Sequence, residues 1–142
     1  MGDDPPATAM PPLGAAALRA VEPDRRTALL AAGDVAAVVG VLVAGMRRHG
    51  VDPLAEPGHA AAVVGPFVVG WLLAAPLVGA YAADLSRVGP AANGWLLAAL
   101  VGLSLRATPA FPGGVTGPFG FVVSGFGLLA VGGWRLLAAR LP

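Results

Sequence analysis

Two ionisable side chains, Asp34 and Arg106, lie well inside long apolar stretches of the chain. A charge at the centre of a membrane-spanning helix costs about 2.5–3.5 kcal/mol on insertion scales, so a residue of this kind calls for a partner or a function. Because Asp34 and Arg106 carry opposite charges, each is a candidate partner for the other. We therefore predict a structural or functional role for both residues.

The depths of the two residues leave three interpretations open. With a rise of about 1.5 Å per residue, Asp34 lies about 10 Å and Arg106 about 18–22 Å from the same surface. In the first interpretation the two side chains meet, which requires an inward-reaching arginine or offset helices. In the second, Arg106 extends to the opposite interface and Asp34 is neutralised separately. In the third, Asp34 is a coupling site for a proton or substrate.

A second polar group follows the first apolar stretch. His49, Asp52, Glu56 and His59 are ligand types that bind divalent metals, and at spacings of three, four and three they would share one helix face. Several Gly and Pro residues interrupt this segment, so we expect an ordinary solvated loop. The sequence therefore predicts no metal site here.

Four apolar segments must position these residues, and they predict helices at about 27–46, 60–83, 91–108 and 117–138. Each is about as long as a span of the hydrocarbon core requires. The segments lack the alternation of barrel strands and the polar stripe of a soluble bundle helix. We therefore predict an all-α polytopic membrane protein, with a compact four-helix transmembrane domain over 27–139 and a disordered cytoplasmic tail over 1–26.

The small residues and prolines of these helices lead to three expectations about packing. Small residues four apart, as at Ala36, Gly40 and Ala44, allow helices to approach closely. Trp71 lies near mid-membrane by residue count, where we expect it to pack against small residues of a neighbouring helix. Pro66 is predicted near the start of the second helix, where its missing N–H costs little.

Composition excludes several classes of protein. Of the 142 residues, 56% are hydrophobic and only 12% are charged, about half the charge of a typical soluble domain. The net charge of +1 and the absence of a basic patch argue against a nucleic-acid partner, and no Cys is present. We find no paired nucleophile and base and no phosphate-binding loop, so no enzymatic activity and no cofactor are predicted.

The distribution of arginine predicts the orientation, because cytoplasmic loops carry an excess of positive charge. Four spans place both termini on one side, together with Arg19, Arg25, Arg26, Arg87, Arg135 and Arg140. At most three arginines lie on the other side. We therefore expect cytoplasmic termini, and we expect Tyr81, Trp95 and Trp134 to line that interface.

The order and spacing of short motifs resemble those of domain of unknown function family 3054, small four-helix membrane proteins of bacteria and archaea. The similarity extends from about Leu29 to Leu137. The matching landmarks are Asp34, Arg48-His49-Gly50, Gly65-Pro66-Phe67, Gly70-Trp71, Arg106 and Gly133-Trp134-Arg135. The resemblance implies four spans in a prokaryotic membrane but no activity, substrate or cofactor. Arg48, His49 and Trp71 are thus secondary candidates beside Asp34 and Arg106.

Two functions are consistent with these features of the sequence. In the first, the chain is a structural or accessory protein of the cytoplasmic membrane with no catalytic activity, and it packs with itself or with a partner membrane protein. In the second, it is a small oligomeric transporter that uses Asp34 as the coupling residue. Four helices leave little room for a pore in one chain, so transport requires at least a dimer.

Overall fold

The computed structural model describes residues 24–82 and 88–141, and these residues form four α-helices. The helices are α1 (Arg25–Arg48), α2 (Pro57–Leu77), α3 (Val88–Arg106) and α4 (Gly117–Ala138). By length and composition, all four are able to cross a membrane. The chain is therefore an all-α, multi-pass membrane protein, as predicted. Most of the expected tail, residues 1–23, lies outside the described residues.

The four helices form a ring in chain order. Each helix packs against its neighbours in the sequence, and α4 closes the ring by packing against α1. Because consecutive helices run in opposite directions, the start of α1 and the end of α4 lie at one end of the bundle, which we call the termini end. The end of α2 and the start of α3 lie there too. The other end of the bundle is called the opposite end below.

One face of α1 is buried in the bundle. Its buried residues recur every four positions: Leu30, Asp34, Val38, Leu42 and Met46. Ala36, Gly40 and Ala44 lie on the other face and are exposed. This predicted ridge of small residues therefore takes no part in packing within the bundle.

Tryptophan and glycine account for the closest contacts between helices. Trp71 is buried and packs against Gly94 of α3, which confirms the expectation for this ring. In α2, a Cβ on Gly70 would overlap the backbone carbonyl of Ala98 in α3, so only glycine permits this approach. Trp95 lies over a glycine of α4 and is 0% exposed. Its predicted position at the interface is therefore wrong.

Helix α2 ends at Leu77, six residues before the predicted end at 83. Gly79 adopts a φ of +69°, and the N–H of Ala80 donates to the carbonyl of Ala75 at 2.9 Å. This is a Schellman turn, in which glycine takes the left-handed conformation that other residues adopt only with strain. The turn reverses the chain and places Tyr81 beside the bundle rather than at the end of a longer helix.

Candidate functional site

Asp34 forms a buried ion pair with Arg135 at the termini end. The Nε of Arg135 donates to Oδ1 of Asp34 at 2.8 Å, and Nη2 donates to Oδ2 at 2.6 Å. Asp34 is 0% exposed and Arg135 is 2% exposed. Two parallel hydrogen bonds of this kind are the strongest arrangement of an arginine and a carboxylate. The first of the three interpretations, a contact between Asp34 and Arg106, is therefore wrong, and α4 supplies the partner of Asp34.

Two aromatic side chains extend the ion pair into a hydrogen-bonded chain. The hydroxyl of Tyr81 donates to Oδ2 of Asp34 at 2.9 Å, and Nε1 of Trp71 donates to the Tyr81 hydroxyl oxygen at 3.0 Å. Arg135 also donates from Nη1 to the carbonyl of Ala80 at 3.1 Å, and its guanidinium lies 5.2 Å from the centre of the Tyr81 ring. We call Asp34, Trp71, Tyr81 and Arg135 the Asp34 cluster.

The Asp34 cluster links α1, α2 with its following turn, and α4. Removing two charges from water costs several kcal/mol per ion, and the mutual attraction offsets this cost only when further hydrogen bonds satisfy the remaining polar atoms. Here the carboxylate accepts from Arg135 and Tyr81, and Arg135 also donates to a backbone carbonyl. The geometry therefore suits a fixed structural contact between three segments of the chain.

Tyr81 lies in the turn after α2, outside the spans, and its hydroxyl must keep its proton to donate to Asp34. Partial burial of the phenol raises its pKa, and the negative charge of Asp34 raises that pKa further. Since the ordinary pKa of tyrosine is about 10, the hydroxyl remains a donor throughout the physiological range.

Arg106 lies at the opposite end of the bundle, far from Asp34. The residue is only 6% exposed, and Nη1 donates to the carbonyl of Ala62 in α2 at 3.0 Å. Pro66 explains why this carbonyl is free: it is the residue whose N–H would bond to Ala62 in an α-helix, and proline has none. Pro66 is in the interior of α2, as the tenth residue of the helix, so the prediction that it lies near the helix start is wrong.

The secondary candidates Arg48 and His49 are exposed at the end of α1, where His49 is the residue that follows the helix. In the loop after it, Oδ1 of Asp52 accepts from the N–H of Leu54 at 3.0 Å. Across residues 24–82 and 88–141, no three His, Asp or Glu side chains are grouped closely enough to hold a metal ion.

Sequence reasoning missed Arg135 and Tyr81 as members of the site. Arg135 was counted as an interfacial charge and Tyr81 as an interfacial ring, although both lie at the same end of the bundle as Asp34. The topology could have predicted that Asp34 and Arg135 lie at the same end, because an even number of spans places the start of the first helix beside the end of the last. Arg106, at the end of the third span, belongs to the opposite end by the same argument.

Removing one member of the ion pair should destabilise the protein more than removing both. Asp34→Asn or Arg135→Gln leaves a buried group without its charged partner, and we expect each to lower the free energy of unfolding by about 3–5 kcal/mol. The double variant Asp34→Leu/Arg135→Leu removes both charges and should regain most of this loss. Denaturant unfolding in uncharged detergent micelles measures all three.

The matched control combines Asp34→Asn with Arg106→Gln. Since these residues lie at opposite ends of the bundle and share no partner, their effects on the free energy of unfolding should add. If the Leu/Leu variant instead loses as much free energy of unfolding as Asp34→Asn and Arg135→Gln lose together, the direct pairing is contradicted.

The ionisation of Tyr81 can be measured directly because it is the single tyrosine of the chain. We expect its phenolate absorbance in the folded protein to appear at a higher pH than in the denatured chain. A raised pKa means that its contribution to stability is complete below about pH 10 and is lost as the pH rises through the folded pKa. Asp34→Asn should lower the midpoint, because the carboxylate charge is gone while Arg135 remains. If the titration midpoint of Tyr81 were the same in the folded protein and in the denatured chain, the environment described for its hydroxyl would be contradicted.

The comparisons with known proteins give the family of the chain. The family described as "Protein of unknown function (DUF3054)" matches residues 31–138, a range that includes all four helices almost entirely and every member of the Asp34 cluster. No curated protein and no solved structure matches the chain. With more than half of its length matched, the chain belongs to the DUF3054 family.

Proposed function

We propose that the chain is a structural or accessory protein of the prokaryotic cytoplasmic membrane, without catalytic activity. The observation that carries this proposal is the use made of Asp34, the acidic residue inside the spans. Its side chain is fully buried, and its two oxygens accept hydrogen bonds from Arg135 and Tyr81. A coupling residue must exchange protons or ligands with a water-filled path, whereas this carboxylate holds helices together.

An accessory role requires an outer surface that contacts another membrane protein or a second copy of the chain. The exposed face of α1 supports this requirement, because it presents Ala36, Gly40 and Ala44 at intervals of four residues. A Cβ added to Gly40 would meet no atom within 4 Å. Small residues on a lipid-facing surface allow the close backbone approach on which association in membranes depends.

The proposed orientation has both termini in the cytoplasm. Arg135 and Arg106 are enclosed by the bundle, so they are poor markers of the two membrane surfaces. Without them, five arginines remain on the side of the termini and two, Arg47 and Arg48, on the other. The positive-inside rule therefore favours the same orientation as before, with the same excess of arginines on the side of the termini.

The structural role of Asp34 is tested by measuring proton permeability in a variant that still folds but lacks the carboxylate. We expect the Asp34→Leu/Arg135→Leu variant to fold, and proteoliposomes containing it to show the same proton permeability as those containing the wild type. A pH-sensitive dye trapped inside the vesicles measures that permeability after an imposed pH step. Arg140→Gln, a change of an exposed arginine at the same end, is the matched control.

A transporter gives the other outcome in the same assay. Proton flux that depends on wild-type protein and collapses in the folded Leu/Leu variant, but not in Arg140→Gln, would contradict the structural proposal. It would assign the coupling role to the ion pair of Asp34 and Arg135 instead.

The orientation is tested by reporter fusions at two positions. A fusion after Pro142 should be active only as a cytoplasmic reporter, and a fusion within the α1–α2 loop, after Leu54, should be active only as a periplasmic one. Paired alkaline phosphatase and green fluorescent protein fusions provide this measurement. The reverse pattern at both positions would show that the termini are outside.

A further inference from the structure

Arg106 carries a charge that the bundle encloses but does not neutralise. Its Nη1 donates to the carbonyl of Ala62, while its buried Nε has no hydrogen-bond partner among residues 24–82 and 88–141. The residue is 6% exposed, yet no carboxylate of the described residues forms an ion pair with it. A carbonyl and an aromatic ring are weak partners for a buried charge, so they offset only a small part of the free energy that its removal from water costs.

The guanidinium lies at the beginning of α4. Its central carbon is 5.0 Å from the ring centre of Phe119, the third residue of that helix. The loop before α4 also passes close to the guanidinium, because a Cβ on Gly113 would lie 2.7 Å from Nη2. Gly113 also has a φ of +132°, so its position against the arginine depends on glycine.

The start of α4 adds a second source of positive potential. The first N–H groups of a helix have no acceptor within it, and the aligned peptide dipoles give that end a partial positive charge. In α4 these are the N–H groups of Gly117 and Phe119, because Pro118 has none and Gly120 donates to the carbonyl of Thr116. The side chain of Thr116 makes no hydrogen bond to them. The positive charge of Arg106 and the positive potential at the start of α4 therefore lie close together. A bound anion would stabilise both.

We propose that Arg106 and the start of α4 form a binding site for a phosphate oxyanion. Phosphate oxygens suit both partners, since guanidinium groups and the N–H groups of helix starts are the usual donors to phosphate in proteins. This end of the bundle lies at one membrane surface, where such a group comes from a lipid headgroup or from free phosphate. The inference is independent of the proposed accessory function.

Uncharged dodecyl maltoside micelles, which contain no phosphate, provide the starting condition for the test. Wild-type protein is titrated with inorganic phosphate at constant ionic strength and, separately, with phosphatidylglycerol. Diacylglycerol is the control for the acyl chains. Tryptophan fluorescence follows thermal unfolding, and we expect a saturable rise of the melting temperature with at least one of the two phosphate sources. A rise with inorganic phosphate identifies free phosphate as a ligand, and a rise with phosphatidylglycerol alone identifies the lipid.

Two pairs of variants locate the site. Arg106→Gln should weaken association by at least roughly tenfold, as the loss of a hydrogen bond to a charged group requires. Arg47→Gln, an exposed arginine at the same end, should not weaken it. Thr116→Asp and Thr116→Asn both cap the start of α4, but only the carboxylate of the aspartate repels an anion, so Thr116→Asp should weaken the response more than Thr116→Asn does.

The Thr116 pair decides the question even where Arg106→Gln does not fold, because both side chains are favourable before a helix. Wild-type protein that responds to neither phosphate source overturns the proposal. Equal association in wild type and folded Arg106→Gln, or in Thr116→Asp and Thr116→Asn, overturns it as well.

Discussion

The rest of the structure depends on the burial of a carboxylate in a bundle of apolar helices. Asp34 has no exposed surface, so its charge must be balanced within the protein. Arg135 balances it with two hydrogen bonds, and Tyr81 satisfies a further lone pair. These bonds form only when α1, the turn after α2 and α4 are aligned together. A single buried acid thus fixes the relative positions of three segments that are distant in sequence.

The packing of the bundle explains how so small a protein encloses such a cluster. Lipid offers no hydrophobic gain for helix association, so contact area must come from close approach. Gly70 permits this against the backbone of α3, and Trp71 packs on Gly94 of the same helix. Since Trp71 also donates to Tyr81, the apolar packing of α2 against α3 and the polar cluster share one side chain. Packing and hydrogen bonding therefore position the same ring.

The four spans could be predicted from the sequence because the thickness of the hydrocarbon core imposes a length on every apolar segment. The length of the apolar segments does not predict the partner of Asp34, because the choice between Arg106 and Arg135 depends on which helix ends lie together. Trp95 was placed at an interface by its chemistry, yet it is buried against α4. The end of α2 depended on Gly79, whose left-handed conformation overrides the apolar pattern that continues to Ala83.

Both buried arginines donate to a backbone carbonyl of α2 or of the turn that follows it, each at a place where regular helical hydrogen bonding is interrupted. Pro66 has no N–H, so the carbonyl of Ala62 is left for Arg106. Ala80 lies beyond the last turn of α2, and its carbonyl accepts from Arg135. A carbonyl whose helical N–H donor is missing has both of its lone pairs available to a side chain. The proline and the glycine turn therefore do more than shape α2: each exposes the oxygen that lets an arginine enter the bundle. The two ends differ in the counter-charge, which Asp34 supplies to Arg135 and no carboxylate of the described residues supplies to Arg106.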